Sequence, residues 1–267
     1  MIQYFEIDTK ATEAFVQVPP SVRQRSFHEI MWVQKGNVHF MVDGDIYEVK
    51  ANSFFILPKD RYHRFLPQEG INGQVIRFSE EDLDVFPKLL FSKFHNLSEV
   101  KLSNQHIQFF EQLYSLIQSE YVNKSDSKMV LIQLIKSVIY KLDAIKRNEF
   151  NPIHQVANQF SIVDAFQDLL DLHILENRSI HFYAEQLNMT SRKLGAIIKS
   201  VFNTTTENIV AQRLLIEAKR QLVYSEKNIA QIAYDLNFQD NSYFTKYFKK
   251  HTSLTPKQYR ENQQIVK

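Results

Sequence analysis

Apolar and polar residues change their spacing about one third of the way along the chain. Before residue 90 they form short runs rich in β-branched and aromatic residues: HEIMWVQ, NVHFMV, DIYEVK and SFFIL. Turn-forming stretches separate the runs, and Asp43-Gly44 lies between two of them, as in a tight hairpin. These runs predict short strands, and their spacing of roughly ten residues predicts a β-sandwich or barrel.

Residues 80–150 follow a helical spacing instead. Two apolar stripes predict two amphipathic helices. The first stripe consists of Ile107, Phe110, Leu113, Tyr114 and Ile117, and the second of Leu131, Ile135, Val138, Leu142 and Ile145. The alternating steps of the second stripe are typical of a short coiled-coil seam, which Ile132 and Ile139 widen. We expect one stripe to cover the sheet and the second to form a homodimer, with packing of both within one chain as the alternative.

The stretch KRNEFNPIHQVAN interrupts this spacing and contains Asn151-Pro152, which favours a domain boundary. We therefore predict an N-terminal β domain over residues 1–95 and a helical pair over 96–150. A linker over 151–160 and an all-helical domain over 161–267 complete the predicted order.

A helix-turn-helix pattern occupies Ile229–Tyr259. One helix face repeats at i, i+3, i+4 and i+7, Asn237 can end that helix in the left-handed conformation, and Phe238 fills the corner. The next helix is predicted to turn inward Tyr243, Phe244, Tyr247 and Phe248. Its outer face is polar and cationic, as a major-groove reader requires. An ordinary helical hairpin with a solvated lysine face is the alternative.

A partial copy of this pattern lies about 50 residues upstream. Its matching positions are Ala184, Leu187, Asn188, Met189, Leu194, Ile198, Lys199 and Asn203. Thr190 is predicted to cap the second helix of this copy. Between the copies, Ile209–Tyr224 is predicted to form one long helix. A duplicated hairpin is harder to explain as incidental than a single one.

Composition and charge narrow the function. From Arg178 onward the chain has 14 Lys+Arg against 7 Asp+Glu, a net charge of +7, which favours nucleic acid as partner. The chain has no cysteine and five glycines, four of them before residue 74, which excludes thiolate sites and glycine-rich nucleotide loops. The first residues have no apolar run, and Met129–Ile145 is too polar to span a bilayer, so we expect a cytoplasmic protein without a membrane partner.

Glu29 is followed seven residues later by Gly36, and Pro58 precedes His63 with four residues between them. This spacing resembles the two motifs of cupin jelly rolls. The His-x-His of metal-binding cupins is replaced here by Arg23 and Arg25, and glycines of the motifs by Asn52 and Asp60. Because guanidinium groups do not bind metals, we expect no metal and no cofactor. His28 and His39 are the remaining substitutes, but strand alternation points His28 away from the Glu29 face.

The same substitution suggests a ligand site. If the strand extends back far enough, two arginines share a face with Glu29, and His63 meets them there. Guanidinium groups suit carboxylates and phosphates. We expect a pocket for a small acidic or polyhydroxylated ligand, lined by Arg23, Arg25, Glu29 and His63. The alternative is that the arginines lie on a solvated strand edge.

The duplicated pattern closely resembles the DNA-binding domain of the AraC/XylS family of bacterial transcription regulators. The residues that carry the resemblance are RLLIEAKRQL, Ile229–Leu236, Ser242-Tyr243-Phe244, Phe248-Lys249-Lys250 and Thr255-Pro256-x-x-Tyr259-Arg260. The resemblance implies an α+β multidomain protein with a cupin-like jelly-roll sensor, a helical dimer segment and a C-terminal all-α double helix-turn-helix. The chain departs from the family pattern at several positions. Asn203, Asn237 and Ser253 stand where the family usually has glycine, and Ala196, after Gly195, stands where the first recognition helix usually has arginine.

These features predict which residues contact double-stranded DNA. Base edges are assigned to Arg192, Lys193 and Ala196 in the first unit and to Asn241, Ser242, Thr245 and Lys246 in the second. Phosphates are assigned to Lys199, Lys249, Lys250 and Arg260. RNA polymerase is a further candidate partner. Two other functions stay open: a DNA-binding regulator whose N-terminal half only dimerises, and a cupin-fold enzyme, which the lost His-x-His disfavours.

Overall fold

A computed structural model of the 267-residue chain describes residues 2–8, 27–43, 45–59, 61, 63–66, 70–82, 87, 90–91, 99–123, 128–150 and 157–265. The chain divides into two units, residues 1–152 and 153–267. The predicted pocket residues Arg23 and Arg25 lie outside the described residues.

The N-terminal unit is built on two antiparallel sheets. Its strands are β1 (Gln3–Ile7), β2 (His28–Lys35), β3 (Asn37–Val42), β4 (Asp45–Lys50), β5 (Ser53–Leu57), β6 (His63–Phe65), β7 (Asn72–Phe78) and β8 (Glu99–Lys101). One sheet has the order β1-β7-β2-β5-β8 and the other β4-β3-β6. Val42 pairs with Asp45 where β4 runs antiparallel to β3, so the two strands form the predicted hairpin. The strand β8 extends the sheet beyond residue 95, where the β domain was predicted to end.

The five-stranded sheet has a core on each face, and because side chains alternate along a strand, each strand contributes residues to both. Met31 and Val33 point to a core shared with the three-stranded sheet, where Phe40 and Phe55 stack at 5.0 Å. Ile30 and Trp32 point the other way, into a core shared with helices. At Asn52, where the resemblance to cupins expects glycine, φ is +62°, so the asparagine adopts the left-handed conformation.

Two helices cover the outer face of this sheet, α1 (Asn104–Val122) and α2 (Lys128–Phe150). Both predicted apolar stripes enter the same core: Phe110 and Tyr114 pack on Trp32, and the second stripe joins them there. The prediction that Leu131, Ile135, Val138, Leu142 and Ile145 form an exposed homodimer seam is therefore wrong. Four of these residues are buried and Leu131 packs against the core, because a sheet face this apolar needs cover from within the chain.

The C-terminal unit is all helical over its described residues. Its helices are α3 (Ala157–His173), α4 (Ile180–Gln186), α5 (Ser191–Phe202), α6 (Thr206–Tyr224), α7 (Ile229–Asp235), α8 (Asn241–Thr252) and α9 (Pro256–Ile265). Helix α6 packs against α3 and α5, which precede it in the chain, and against α7 and α9, which follow it. It therefore joins two three-helix groups. Since α3 begins at Ala157, the predicted linker is too long at its C-terminal end. No helix among the described residues is long and apolar enough to cross a membrane.

Candidate nucleic-acid interface

The two helix-turn-helix units close their turns in the same way. In the first, the amides of Asn188 and Met189 donate to carbonyls of α4 at 2.9 Å each. In the second, the amides of Asn237 and Phe238 donate to carbonyls of α7 at 2.8 and 2.9 Å. Asn188 and Asn237 have φ of +53° and +55°, which asparagine tolerates better than most residues. The duplication predicted from the sequence is thus repeated in the backbone.

The recognition helices α5 and α8 begin and end alike. The hydroxyl of Thr190 accepts from the Lys193 amide at 3.2 Å, and a carboxylate oxygen of Asp240 accepts from the Tyr243 amide at 2.7 Å. Each side chain satisfies an amide at the first turn that has no partner within the helix. Both helices end on left-handed residues, Asn203 with φ +51° and Ser253 with φ +65°.

The inner faces of α5 and α8 match position by position. Leu194 and Ile198 in α5, and Phe244 and Phe248 in α8, are all fully buried. Tyr243 was predicted to point inward, but this residue is 53% exposed. Its Cβ lies about 100° around the helix from that of Phe244, so it flanks the buried stripe, and its ring centroid lies 5.8 Å from that of Phe238.

The outer faces of both helices are exposed and free of acidic residues. Along α5 the exposed predicted contact residues are Arg192, Lys193, Ala196 and Lys199, and along α8 they are Asn241, Ser242, Lys246, Lys249 and Lys250. Thr245 is half-buried. Burial first, and then the positive charge of Lys250, lowers the pKa of His251 at the end of α8. A helix surface with lysines, amides and hydroxyls but no carboxylate suits the polyanionic DNA backbone and the base edges.

Arg260, which was predicted to contact phosphate, donates two hydrogen bonds within the C-terminal unit. Its Nε donates to the carbonyl of Leu222 and its Nη2 to that of Lys227, both at 2.8 Å. Leu222 lies in the last turn of α6, where carbonyls have no partner within the helix. The guanidinium therefore joins α9 to the end of α6, and the phosphate contact predicted for this residue would have to use its other N–H groups.

Gly195 is not required by packing. A Cβ at this position would meet Thr206 Oγ1 at 3.9 Å, an ordinary contact. The first recognition helix therefore lacks a side chain where the neighbouring helices leave space for one. Together with Ala196, this glycine leaves the middle of α5 with short side chains.

In the N-terminal unit, Glu29 and His63 lie together as predicted, with Glu29 Oε1 3.8 Å from His63 Nε2. His28 points away from them, as strand alternation predicted: its Nε2 lies 3.0 Å from Glu80 and its Nδ1 accepts from the Lys59 amide at 3.1 Å. The sequence did not identify Arg77, whose Nε donates to Glu29 Oε2 at 2.5 Å. Only the register of β7 on β2 places these two residues opposite each other. Within the described ranges, no group of three His, Asp or Glu residues could hold a metal ion.

Comparison with known proteins gives two family matches. A helix-turn-helix domain matches residues 183–262, and an AraC-like ligand binding domain matches residues 18–135. The two matches fall on the two units of the structure, and together they cover well over half of the chain.

Similar individual proteins are regulators. The HTH-type transcriptional activator RhaS of Mannheimia succiniciproducens is 43% identical over 77 residues, which cover 29% of each protein. The HTH-type transcriptional activator RhaR of the same organism is 23% identical over 91% of this chain and 88% of its own length. The chain thus spans less than a third of RhaS but most of RhaR. Fatty-acid-bound ToxT of Vibrio cholerae aligns over 97% of this chain and 94% of its own, with 15% identity and a TM-score of 0.44.

Proposed function

The chain belongs to the AraC/XylS family of transcription regulators, and we propose that it controls transcription by placing α5 and α8 in two successive major grooves of DNA. One turn of B-DNA separates such grooves by about 34 Å on one face of the duplex. The observation that carries this proposal is the duplicated unit: two capped helices with matching turns and carboxylate-free outer faces, joined by α6.

The two helices would share the reading unequally. In α8, Asn241, Ser242, Thr245 and Lys246 are proposed to reach base edges, because amides and ammonium groups can read adenine and guanine. In α5, Arg192 and Lys193 are the long donors, and Ala196 could touch a thymine methyl. Lys199, Lys249 and Lys250 are proposed to contact phosphates. Helix α8 would therefore contribute more of the sequence discrimination.

Selection of binding sites from a random DNA pool tests this function. The selected sites should contain two half-sites one helical turn apart, and footprinting should protect one face of the duplex. The half-site read by α8 should be the more strongly defined of the two. Binding that shows no sequence preference above the non-specific level would refute the proposal.

We further propose that the N-terminal unit binds a small acidic or polyhydroxylated ligand near Glu29 and His63, with Arg23 and Arg25 completing its wall. The match to a ligand binding domain supports a ligand-responsive regulator. The buried carboxylate of Glu29 on the inner face of β2 supports the location, since a polar group inside a jelly roll can orient a polar ligand. A thermal-shift screen of sugars and organic acids, repeated on Arg23→Ala/Arg25→Ala, tests the site.

A second candidate is a regulator whose N-terminal unit only dimerises. Exposed apolar side chains on α1 and α2 favour this role: Phe109, Leu116, Val122, Met129, Val130 and Tyr140. A homodimer would use this surface and not the buried stripe. Sedimentation of Leu116→Lys/Met129→Lys tests this role, because the variant should lose the dimer. If it loses the dimer and keeps a ligand response, assembly and sensing are separate functions of the N-terminal unit. Contact with RNA polymerase is proposed for the DNA-bound protein.

The family is one of regulators, and we propose no enzymatic activity for this member. A cupin-type enzyme would need a metal-binding histidine pair at the positions of Arg23 and Arg25. The proposed place of action is the bacterial cytoplasm, because the DNA partner is there.

A further inference from the structure

Arg178 forms a direct connection between the two helix-turn-helix units. It lies in the turn between α3 and α4, at the start of the first unit. Its Nη2 donates to the carbonyl oxygens of Leu236 and Asn237, the second at 3.2 Å. Its Cζ lies 4.2 Å from the centroid of the Phe238 ring. Leu236, Asn237 and Phe238 form the turn between α7 and α8, so one side chain spans from the first unit to the turn of the second.

The backbone at Arg178 is fixed to the first unit. The hydroxyl of Tyr183, a fully buried residue of α4, donates to the carbonyl of Asn177 at 2.6 Å. The amide of Ser179 donates to the side-chain oxygen of Asn177 at 2.9 Å. The residue before the arginine is therefore tied to α4, and the hydrogen bond between Ser179 and Asn177 fixes the turn around it.

The acceptor end of the connection leads directly to α8. The Phe238 ring contacts Phe244 at 5.0 Å and Tyr247 at 5.3 Å between centroids, and both residues belong to α8. The two carbonyls lie at the C-terminal end of α7, where the helix dipole attracts a cation, and the ring face attracts a guanidinium. A change at Arg178 would therefore reach α8 through the Phe238 ring.

We propose that Arg178 is a positioning residue that fixes α5 and α8 relative to each other and thereby sets the half-site spacing the protein accepts. Helix α6 is one attachment between the helix-turn-helix units, and Arg178 adds a further one at the turn of the second. Two attachments hold the recognition helices ready for two grooves, so less freedom is lost when DNA binds. The inference rests on the proposed DNA-binding function.

Lys227 provides a matched control. It occupies the equivalent place before α7, 49 residues after Arg178, but its Nζ pairs with Asp235 at 2.5 Å inside the second unit. Lys227→Ala therefore removes the same charge without removing a connection between units. Arg178→Lys is the conservative variant: it keeps the charge but loses the planar fork and the stacking on Phe238.

The first test measures affinity for duplexes in which the spacing between half-sites varies by single base pairs, together with a duplex that contains only the α8 half-site. For Arg178→Ala we expect about tenfold weaker binding at the best spacing, a flatter spacing profile and unchanged single half-site affinity, with Arg178→Lys intermediate. Lys227→Ala should keep the shape of the wild-type profile. An unchanged profile in Arg178→Ala, or an equal loss on the single half-site, would overturn the proposal.

The second test needs no DNA. Because the chain has no cysteine, Gln186→Cys and Tyr234→Cys place one spin label on an exposed position of each unit in the full-length protein. Adding Arg178→Ala should broaden the distance distribution between the labels, and adding Lys227→Ala should not. Equal distributions would overturn the connection. A wild-type chain that binds no DNA would overturn the proposed function instead, and these distances would still decide the role of Arg178.

Discussion

Arg77 lies directly opposite Glu29 across the β7–β2 pair, with its Nε 2.5 Å from Glu29 Oε2. The Glu29 side chain is 1% exposed and that of Arg77 is 12% exposed. The Arg77 guanidinium also lies 4.4 Å from the centroid of the Phe5 ring. The carboxylate expected to meet a ligand is therefore already paired within the chain, and a ligand would bind beside an ion pair and not beside a lone carboxylate.

Arg77→Met should destabilise the N-terminal unit by about 3–5 kcal/mol, because it leaves the buried Glu29 carboxylate without its cation. Urea unfolding at neutral pH measures the change. Lys257→Ala is the control, since Lys257 and Glu261 form an exposed pair whose loss should change stability by less than about 0.5 kcal/mol. If both variants unfold alike, the Glu29–Arg77 pair contributes nothing to the fold.

Gly195→Ala should stabilise the C-terminal unit by about 1 kcal/mol, since alanine restricts the unfolded chain and favours the helix. The nearest atom to the new Cβ is 3.9 Å away, so no repacking opposes the gain. Thermal unfolding measures the change. Gly73→Ala is the contrasting variant: its Cβ would lie 2.4 Å from the Trp32 carbonyl oxygen, so it should destabilise the sheet. A destabilised Gly195→Ala would show that α5 needs the glycine.

Low pH should reduce the stability of the C-terminal unit by protonating Glu217 of α6. Burial raises the pKa of this carboxyl, but hydrogen bonds from Arg220 and Gln221 outweigh it and hold the pKa below its ordinary value. A carboxyl with a lowered folded-state pKa contributes stability above its unfolded pKa, and this contribution is lost as pH falls through the folded one. Glu217→Gln should therefore be less stable than the wild type at neutral pH and lose less stability below about pH 4. Parallel urea midpoints across this range would contradict the assignment.

Local pattern was enough to predict most of the DNA-binding unit. The turn asparagines, the Thr190 cap and the buried pairs Leu194/Ile198 and Phe244/Phe248 are set by residues within one or two helical turns of each other. Short-range spacing and capping chemistry determine such features, so the chain shows them without a structure.

Contacts between distant residues were not predictable in the same way. Periodicity predicted an apolar stripe at Leu142 and assigned it to a homodimer, whereas the five-stranded sheet of the same chain buries it. Glu29 and Arg77 are 48 residues apart and meet only through strand register, and Arg178 and Leu236 meet across 58 residues. β8 is three residues long and too short to show alternation. The contacts between distant elements could be identified only from the structure, whereas most of the elements themselves could be predicted from the sequence.

Lys246 and Lys249 lie on the exposed face of α8, and changing each to alanine should weaken DNA binding in a different way. Lys246 is proposed to reach a base edge, so its loss should cost about 1–3 kcal/mol on the preferred site and relax discrimination at one base pair. Lys249 is proposed to contact a phosphate, so its loss should weaken all sequences alike and reduce the slope of log affinity against log salt by about one. Titrations of both variants on the preferred site and on each single-base change, at several salt concentrations, separate the two effects. Since each variant removes one positive charge from the same helix, a difference between them reports contact type and not net charge. If both lower every site equally, the roles assigned to the two lysines are wrong.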